Sequence, residues 1–460
     1  MSGVGHSIQS VFASGNIDVD ALLSGVRWGD NQIFFDFPDS EGDYAYPDDI
    51  STFSQVGASI MATAAFALDK QAGTAADDGF SVEGFTNLEV DFSSATNAQI
   101  RLGNDSGTAY HGAWGFYPDT EDTGGDVWFF DYYDNSVAGN WAWYTIQHEI
   151  GHALGLKHPH ENNVFGALPA DLDSMEFSIM TYKSHVGSDG SAFTNEVWGR
   201  AQTYMMFDIA ALQYMYGADY STNSGNTVYK WTPGSGNTLV NGGVAIAPGE
   251  NRIFATIWDG GGKDTYDLSA YTSGVKVDLR PGGHSTFSQN QLADLGEGFH
   301  SRGNIFNALL FEGDKRSLIE NAKGGSGKDF LGGNGAANKL WGNDGADVLR
   351  GRSGNDRLLG GNGSDDLWGG KGRDILEGGN GADRFHFGDG DRDDRIVDFH
   401  GNDVIVLDED LWAGKKSARA VLNQLGHDSK WGYVFDFGHG DLLKIKGADF
   451  EDIKGHIEIV

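Results

Sequence analysis

Residues 324–386 read GGSGKDFLG GNGAANKLW GNDGADVLR GRSGNDRLL GGNGSDDLW GGKGRDILE GGNGADRFH, seven consecutive units of nine. In this register one column holds Asp329, Asn338, Asp347, Asp356, Asp365, Asp374 and Asp383. The column two places on holds Leu331, Leu340, Leu349, Leu358, Leu367, Leu376 and Phe385. One unit cannot bury its single apolar side chain alone, so such units must stack. The glycines admit positive φ and tight turns with carbonyls facing inward. The aspartates add carboxylates, the hard oxygen donors that Ca²⁺ takes at about 2.3–2.6 Å. This is the G-G-x-G-x-D-x-U-x calcium repeat. Its candidate ligands are Gly325, Gly327, Asp329, Gly345, Asp347, Gly354, Asp356, Gly361, Gly363, Asp365, Gly370, Gly372, Asp374, Gly379, Gly381 and Asp383. The second unit has Ala336 for Gly and Asn338 for Asp, which argues against an ion there. A disordered Gly/Asp linker has no reason to keep Leu at every ninth place. The stretch predicts an all-β parallel β-roll that binds several structural Ca²⁺ ions.

The patterning changes on either side. After Gly217 helical periodicity nearly disappears, and Arg252–Trp258 and Gly274–Leu279 alternate as strands do. Upstream, Ser54–Lys70, Trp141–Leu156 and Gln202–Tyr216 read as helices, the last two stopped near Gly155 and Gly217. Leu88–Phe92 and Val127–Phe130 are short and β-rich. This half reads as a mixed α/β domain.

Composition limits what the chain can be. Its 460 residues accommodate two or three domains. With 32 Lys+Arg against 66 Asp+Glu the net charge is −34, which repels phosphate and argues against a nucleic-acid partner. The absence of cysteine excludes disulfides, a thiolate zinc site and a cysteine nucleophile. Glycine, at 69 residues, is about twice its usual share. Residues 1–20 lack the basic and apolar regions of a cleavable signal peptide. The longest helical apolar stretch, near Ile60–Leu68, falls far short of the ~20 residues of a membrane span, so a soluble chain without membrane insertion is expected.

The chemistry-bearing stretch is Gln147–Pro159, QHEIGHALGLKHP. His148 and His152 stand at i, i+4 on one helix face, a spacing that lets both imidazoles reach one zinc at about 2.0–2.1 Å. Glu149 is placed to act as general base. Gly155 lets the chain leave the helix sharply and return His158 as third ligand. Three protein ligands leave a position open, as catalytic rather than structural zinc requires.

This extended motif resembles the metzincin metalloproteases, which carry a methionine turn downstream. Ser178-Ile179-Met180-Thr181-Tyr182 matches that turn, with Thr181 in place of the usual Ser. Joined to calcium nonapeptides, it is similar to the serralysins, secreted bacterial zinc endopeptidases. The likeness runs from about Asp18, where DVDALLSGVRWG resembles the start of their catalytic domain, to the end of the chain. It implies an α+β zincin-like protease domain over 18–220, preceded by a short tail or propeptide (1–17) and followed by the β-roll domain over 221–460. It also implies that Met180 packs beneath the ligands and that Tyr182 lies near the metal and stabilises the oxyanion, whereas the sequence by itself fits Tyr182 equally as a core aromatic. A further calcium site is implied at Asp259, Gly261, Gly262 and Asp264, completed by Asn223, Gly225 and Thr227, with Glu320 as another ligand. Asn223 stands where relatives have Arg. His160 and His185 read as solvated surface, Asp208 as either buried or exposed, and Trp128, Trp141 and Trp143 as core or cleft wall.

The resemblance implies one catalytic Zn²⁺, protein or peptide substrates, and a monomer secreted to the extracellular space. It further implies type I export machinery reading an uncleaved signal in the last ~50 residues, and a small proteinaceous inhibitor as partner. Low cytosolic calcium would leave the repeats unfolded for export, and calcium outside would fold them. A calcium-dependent adhesin or matrix protein with an inactive zinc domain is the contrasting expectation, and Glu149, His148, His152, His158 and Tyr182 together argue against it. A hydrolase of non-peptide substrates is weaker still.

Overall fold

The computed structural model describes residues 6–46, 50, 52–94, 98–107, 112–130, 133–414 and 416–460. The chain forms two compact units. The first comprises Met1–Ser224, Gly234–Gly262 and Asn290–Ser317, and the second Gly225–Pro233, Lys263–Gln289 and Leu318–Val460. A single cut near residue 220 does not describe this division. The segments 234–262 and 290–317 supply Phe254, Trp258, Ala293, Leu295 and Phe306 to the core of the first unit, and composition alone does not say which core a strand joins. Residues 1–5 of the expected tail lie outside the described residues. From Ile8 to Ser10 the chain pairs antiparallel with Val26–Trp28, so this part is strand rather than free tail.

The first unit is built on a mixed sheet in the order Glu89–Phe92, Gln32–Asp36, Ile100–Asp105, Asp126–Phe129, Trp114–Gly115. Its first four strands run parallel, and Trp114–Gly115 forms an antiparallel edge. Ile33, Phe35, Val90, Ile100, Leu102, Val127 and Phe129 are buried with Ile60, Ala64 and Ala67 of the helix Ala58–Leu68 and Ile146 and Ile150 of the helix Trp141–Ala153. The latter helix starts at Asn140, whose side-chain oxygen accepts the Trp143 N–H at 2.9 Å. It ends where Gly155 takes φ +103°, and a Cβ there would sit 2.4 Å from the Val26 carbonyl oxygen. The third helix is shorter than its sequence pattern, Met206–Tyr216, and Gly217 ends it at φ +81°.

The second unit is a parallel β-roll. Successive nonapeptides go alternately to two sheets, so the structural repeat is 18 residues. One sheet stacks Asn321–Lys323, Lys339–Asp344, Arg357–Asn362, Ile375–Asn380, Asp393–Ile396 and Asp441–Lys446. The other stacks Lys276–Asp278, Phe330–Gly332, Val348–Gly354, Asp366–Gly372, Arg384–Phe387, Val404–Leu407 and Ile457–Ile459. In register, Leu340, Leu358 and Leu376 form one buried ladder, and Leu331, Leu349, Leu367 and Phe385 the other. The glycine turns between them leave no room for side chains: a Cβ on Gly363 would lie 1.4 Å from the Gly345 carbonyl oxygen.

Candidate metal centre

The helix Trp141–Ala153 carries His148, Glu149 and His152, and the turn at Gly155 brings His158 back to them. His158 Nε2 lies 3.2 Å from His148 Nε2 and 3.0 Å from His152 Nε2. Each Nδ1 faces an acceptor: the Ile179 carbonyl at 2.8 Å for His148, the Leu156 carbonyl at 2.7 Å for His152, and Glu161 Oε1 at 2.9 Å for His158. Because carbonyls and carboxylates only accept, each ring holds its proton on Nδ1 and presents an Nε2 lone pair. Burial, with the neighbouring imidazoles, pushes the His148 basicity well below the usual range and His158 down to about 2; burial brings His152 to about 4. Three neutral imidazoles thus aim lone pairs at one point with no proton between them, an arrangement that suits a cation. Tetrahedral nitrogen ligands at about 2.0–2.1 Å stand about 3.3 Å apart, close to the spacing seen, so the donor set fits zinc.

The other groups converge from elsewhere in the chain. Glu149 is buried and lines the cleft; burial raises its carboxyl to about 8, partly offset by the Gly115 N–H. Gly115 sits on the sheet edge, where a Cβ would lie 2.3 Å from the Glu149 carbonyl oxygen. Met180 is fully buried, with its sulfur 2.6 Å from where a Cβ on Gly151 would be, so it packs under the helix between the two histidines. The Tyr182 ring stands 4.3 Å from His158 and 5.9 Å from His148, centroid to centroid, and is 39% exposed, so it belongs to the cleft and not the core. Burial and the Glu149 and Glu161 charges raise its hydroxyl to about 12. A cavity of about 230 Å³ is bounded by Trp114, Gly115, Tyr117, Glu149, His158 and Tyr182.

Several of these residues were not singled out in the sequence. Glu161 orients His158 from three residues away. Tyr117 meets the edge of the His152 ring at 5.5 Å, and Lys157 pins the loop by donating to the carbonyls of Ala21, Glu161 and Gly166 at 2.7–3.0 Å. Asp208 is buried and holds the methionine turn, accepting from Ser178 Oγ (2.5 Å), Ile179 N (2.8 Å) and Met205 N (2.8 Å). His160 is exposed but stacks 5.4 Å from His158. His185 is not solvated: it is 4% exposed, its ring stacked 4.0 Å from Phe299. Trp128 is core, while Trp141 lines a second cavity.

In the roll, the N–H groups of Asp329, Asn338, Asp347, Asp356 and Asp365 donate to one carboxylate oxygen of Asp347, Asp356, Asp365, Asp374 and Asp383, at 2.7–2.9 Å. The second oxygen of each of these five aspartates is buried with no protein partner, which suits a cation. Asp329 differs, because both its oxygens accept N–H groups, from Val275 and Gly325. At Asn338 the amide donates to the Glu320 carbonyl and to Asn334 Oδ1, at 2.9 and 3.0 Å, occupying the place with its own hydrogens.

The other calcium candidates divide between the units. Asn223, Asp259, Gly261 and Gly262 lie in the first, where Gly261 N–H donates to Asp259 Oδ1 at 2.8 Å. Gly225, Thr227, Asp264 and Glu320 lie in the second, where Thr227 N–H donates to Asp264 Oδ1 at 2.7 Å and Asp264 N–H to Glu320 Oε2 at 2.8 Å.

Residues 218–427 match the family described as Peptidase M10 serralysin C terminal. The chain is 31% identical over 342 residues to serralysin G of Dickeya chrysanthemi, covering 68% of this chain and 63% of that protein. It is 33% identical over 231 residues to the metalloprotease AprA of Pseudomonas entomophila (strain L48), covering 47% and 42%, and 34% identical over 230 residues to a serralysin of Proteus mirabilis, covering 48% and 42%. The chain spans about half the length of the curated relatives it matches. With its C-terminal match and this spread of relatives, the chain belongs to the serralysin family.

Proposed function

We propose that the protein is a secreted, calcium-stabilised zinc endopeptidase that hydrolyses peptide bonds of extracellular proteins with broad specificity. The observation that carries this reading is the convergence of three Nε2 lone pairs beside Glu149 in an open cleft. His148, His152 and His158 would hold the zinc, which when bound supplies a Lewis acid for the scissile carbonyl. Glu149 accepts a proton from the attacking water and returns it to the leaving amine. A carboxyl raised by burial suits a group that must both take and give a proton. The Tyr182 hydroxyl donates to the oxyanion as it develops, a contribution made in the transition state. The Gly115 edge offers backbone groups along which an extended substrate can lie.

The candidate ligands support a division of labour near residue 220, with zinc chemistry before it and calcium binding after. The five part-satisfied aspartates favour Ca²⁺ as the cation that completes the roll. Secretion through a type I channel, a C-terminal signal, a protein inhibitor and a monomeric state are proposed with this reading. The test is hydrolysis of casein by the full chain. Cleavage that a chelator abolishes and zinc restores is expected, and no cleavage under any metal condition would overturn the reading.

A further inference from the structure

His148 and His152 are held by the hydrogen bonds of their own helix, Trp141–Ala153, whereas His158 lies beyond Gly155, outside that ladder. The third ligand therefore depends on contacts made by its loop. Part of the support is backbone. Ser24 N–H donates to the Gly155 carbonyl at 3.0 Å and Lys157 N–H to the Leu22 carbonyl at 2.8 Å, with Leu23 paired antiparallel to Leu156. Glu161 N–H donates to the His158 carbonyl at 3.2 Å, closing a turn from His158 to Glu161.

The rest comes from one side chain. Lys157 is 1% exposed, and no other lysine among the described residues is buried. Its Nζ lies 2.7 Å from the carbonyl oxygen of Ala21, 2.8 Å from that of Glu161, 3.0 Å from that of Gly166 and 3.4 Å from that of His158. An ammonium has three hydrogens and no acceptor, so the three nearest carbonyls use all of them. Among the described residues no carboxylate forms an ion pair with it, and the carbonyl dipoles stand where a counter-charge would. Glu161 couples this cage to the imidazole: its backbone carbonyl meets the ammonium, and its Oε1 meets His158 Nδ1 at 2.9 Å. Without the ammonium, buried carbonyls on both sides lose a donor, and the turn that presents His158 Nε2 loses its anchor. A ligand set tolerates displacements of only about 0.5 Å.

The geometry points to Lys157 as a positioning residue for the zinc site, a built-in cation whose ammonium fixes the His158–Glu161 turn and so sets how tightly the three imidazoles hold their metal. The inference rests on the zinc reading of the site and adds to it a determinant of metal retention that lies behind the ligands rather than among them.

The test exploits the absence of cysteine from the chain. Lys157→Cys introduces a single thiol, which is alkylated in the unfolded full chain before refolding with calcium. Bromoethylamine gives a side chain of lysine's length that ends in an ammonium. Bromopropane gives one of the same length that ends in a methyl group. Circular dichroism reports folding, and competition with a chromogenic chelator reports zinc affinity. The propyl form is expected to fold and to bind zinc about 10–100-fold more weakly than the unmutated chain refolded in the same way. The aminoethyl form should bind at least about tenfold more tightly than the propyl form. Equal zinc affinity in the two forms would overturn the inference. So would failure of either form to fold at saturating zinc, because Lys157 would then serve the fold at large. An unmutated chain that binds no zinc contradicts the zinc reading and the inference with it, whereas zinc held equally by all three proteins contradicts the inference alone.

Discussion

Asp208 and His148 are joined through a single residue: Asp208 Oδ2 accepts the Ile179 N–H at 2.8 Å, and the Ile179 carbonyl accepts the His148 Nδ1 proton at 2.8 Å. A carboxylate buried in the third helix thereby orients a candidate metal ligand. Outer partners of this kind are worth roughly 10–100-fold in metal affinity. Asp208→Asn turns an amide N–H group towards donors, so a 10–100-fold weaker zinc affinity is expected, with a stability loss of about 1–3 kcal/mol. Competition with a chromogenic chelator and urea unfolding check both. Unchanged zinc affinity would break the proposed link.

Tyr182→Phe removes a hydroxyl while keeping the ring against His158. If the hydroxyl acts on the oxyanion, kcat falls by about 10–10³-fold while KM changes little. Steady-state kinetics on one peptide decide this, and an unchanged kcat would reduce Tyr182 to a wall of the cleft.

Gly151→Ala places a methyl group 2.6 Å from the Met180 sulfur in a closed core. Overpacking of this kind costs about 1–3 kcal/mol. Urea unfolding of the zinc-loaded protein should show that loss. Full stability would mean that Met180 moves freely beneath the ligands.

The metal-free roll should lose stability as pH rises. Burial raises Asp329, Asp365 and Asp383 to about 6 and Asp347, Asp356 and Asp374 to about 7, against 3.8 for the unfolded chain. Between those limits the unfolded state gives up protons that the folded state retains. The stabilisation is therefore complete below about pH 4 and lost by about pH 7. Calcium takes the deprotonated carboxylates and should reverse the trend. Circular dichroism of the full chain during urea unfolding, with chelator or millimolar calcium, at about pH 5 and pH 8, measures both slopes. The full chain is required because 234–262 and 290–317 belong to the first unit. A chelated protein equally stable at both pH values would contradict this account.

How far the sequence could be read follows from the range of the contacts. His148, His152 and His158 were legible because a helix period and one glycine fix their spacing. The leucine column was legible because it repeats. Its split into two ladders of 18-residue period was not, since a nine-residue repeat does not say on which sheet each unit lies. The sequence leaves Asp208 open between buried and exposed because the methionine turn it holds stands about 30 residues away in the chain. His185 was misread as solvated surface because Phe299, more than a hundred residues on, covers it. Glu161 was the nearest miss: a carboxylate three residues after a candidate ligand is a local signal for an orienting partner.

In the proposed reaction Glu149 moves the proton in a zinc site it does not itself ligate. The most direct measurement is the zinc content of purified Glu149→Ala set beside its hydrolysis of casein. One zinc per chain is expected, as in the unmutated protein, with activity reduced by about 10²–10⁴-fold. Near-normal hydrolysis by a variant that retains its zinc would contradict it.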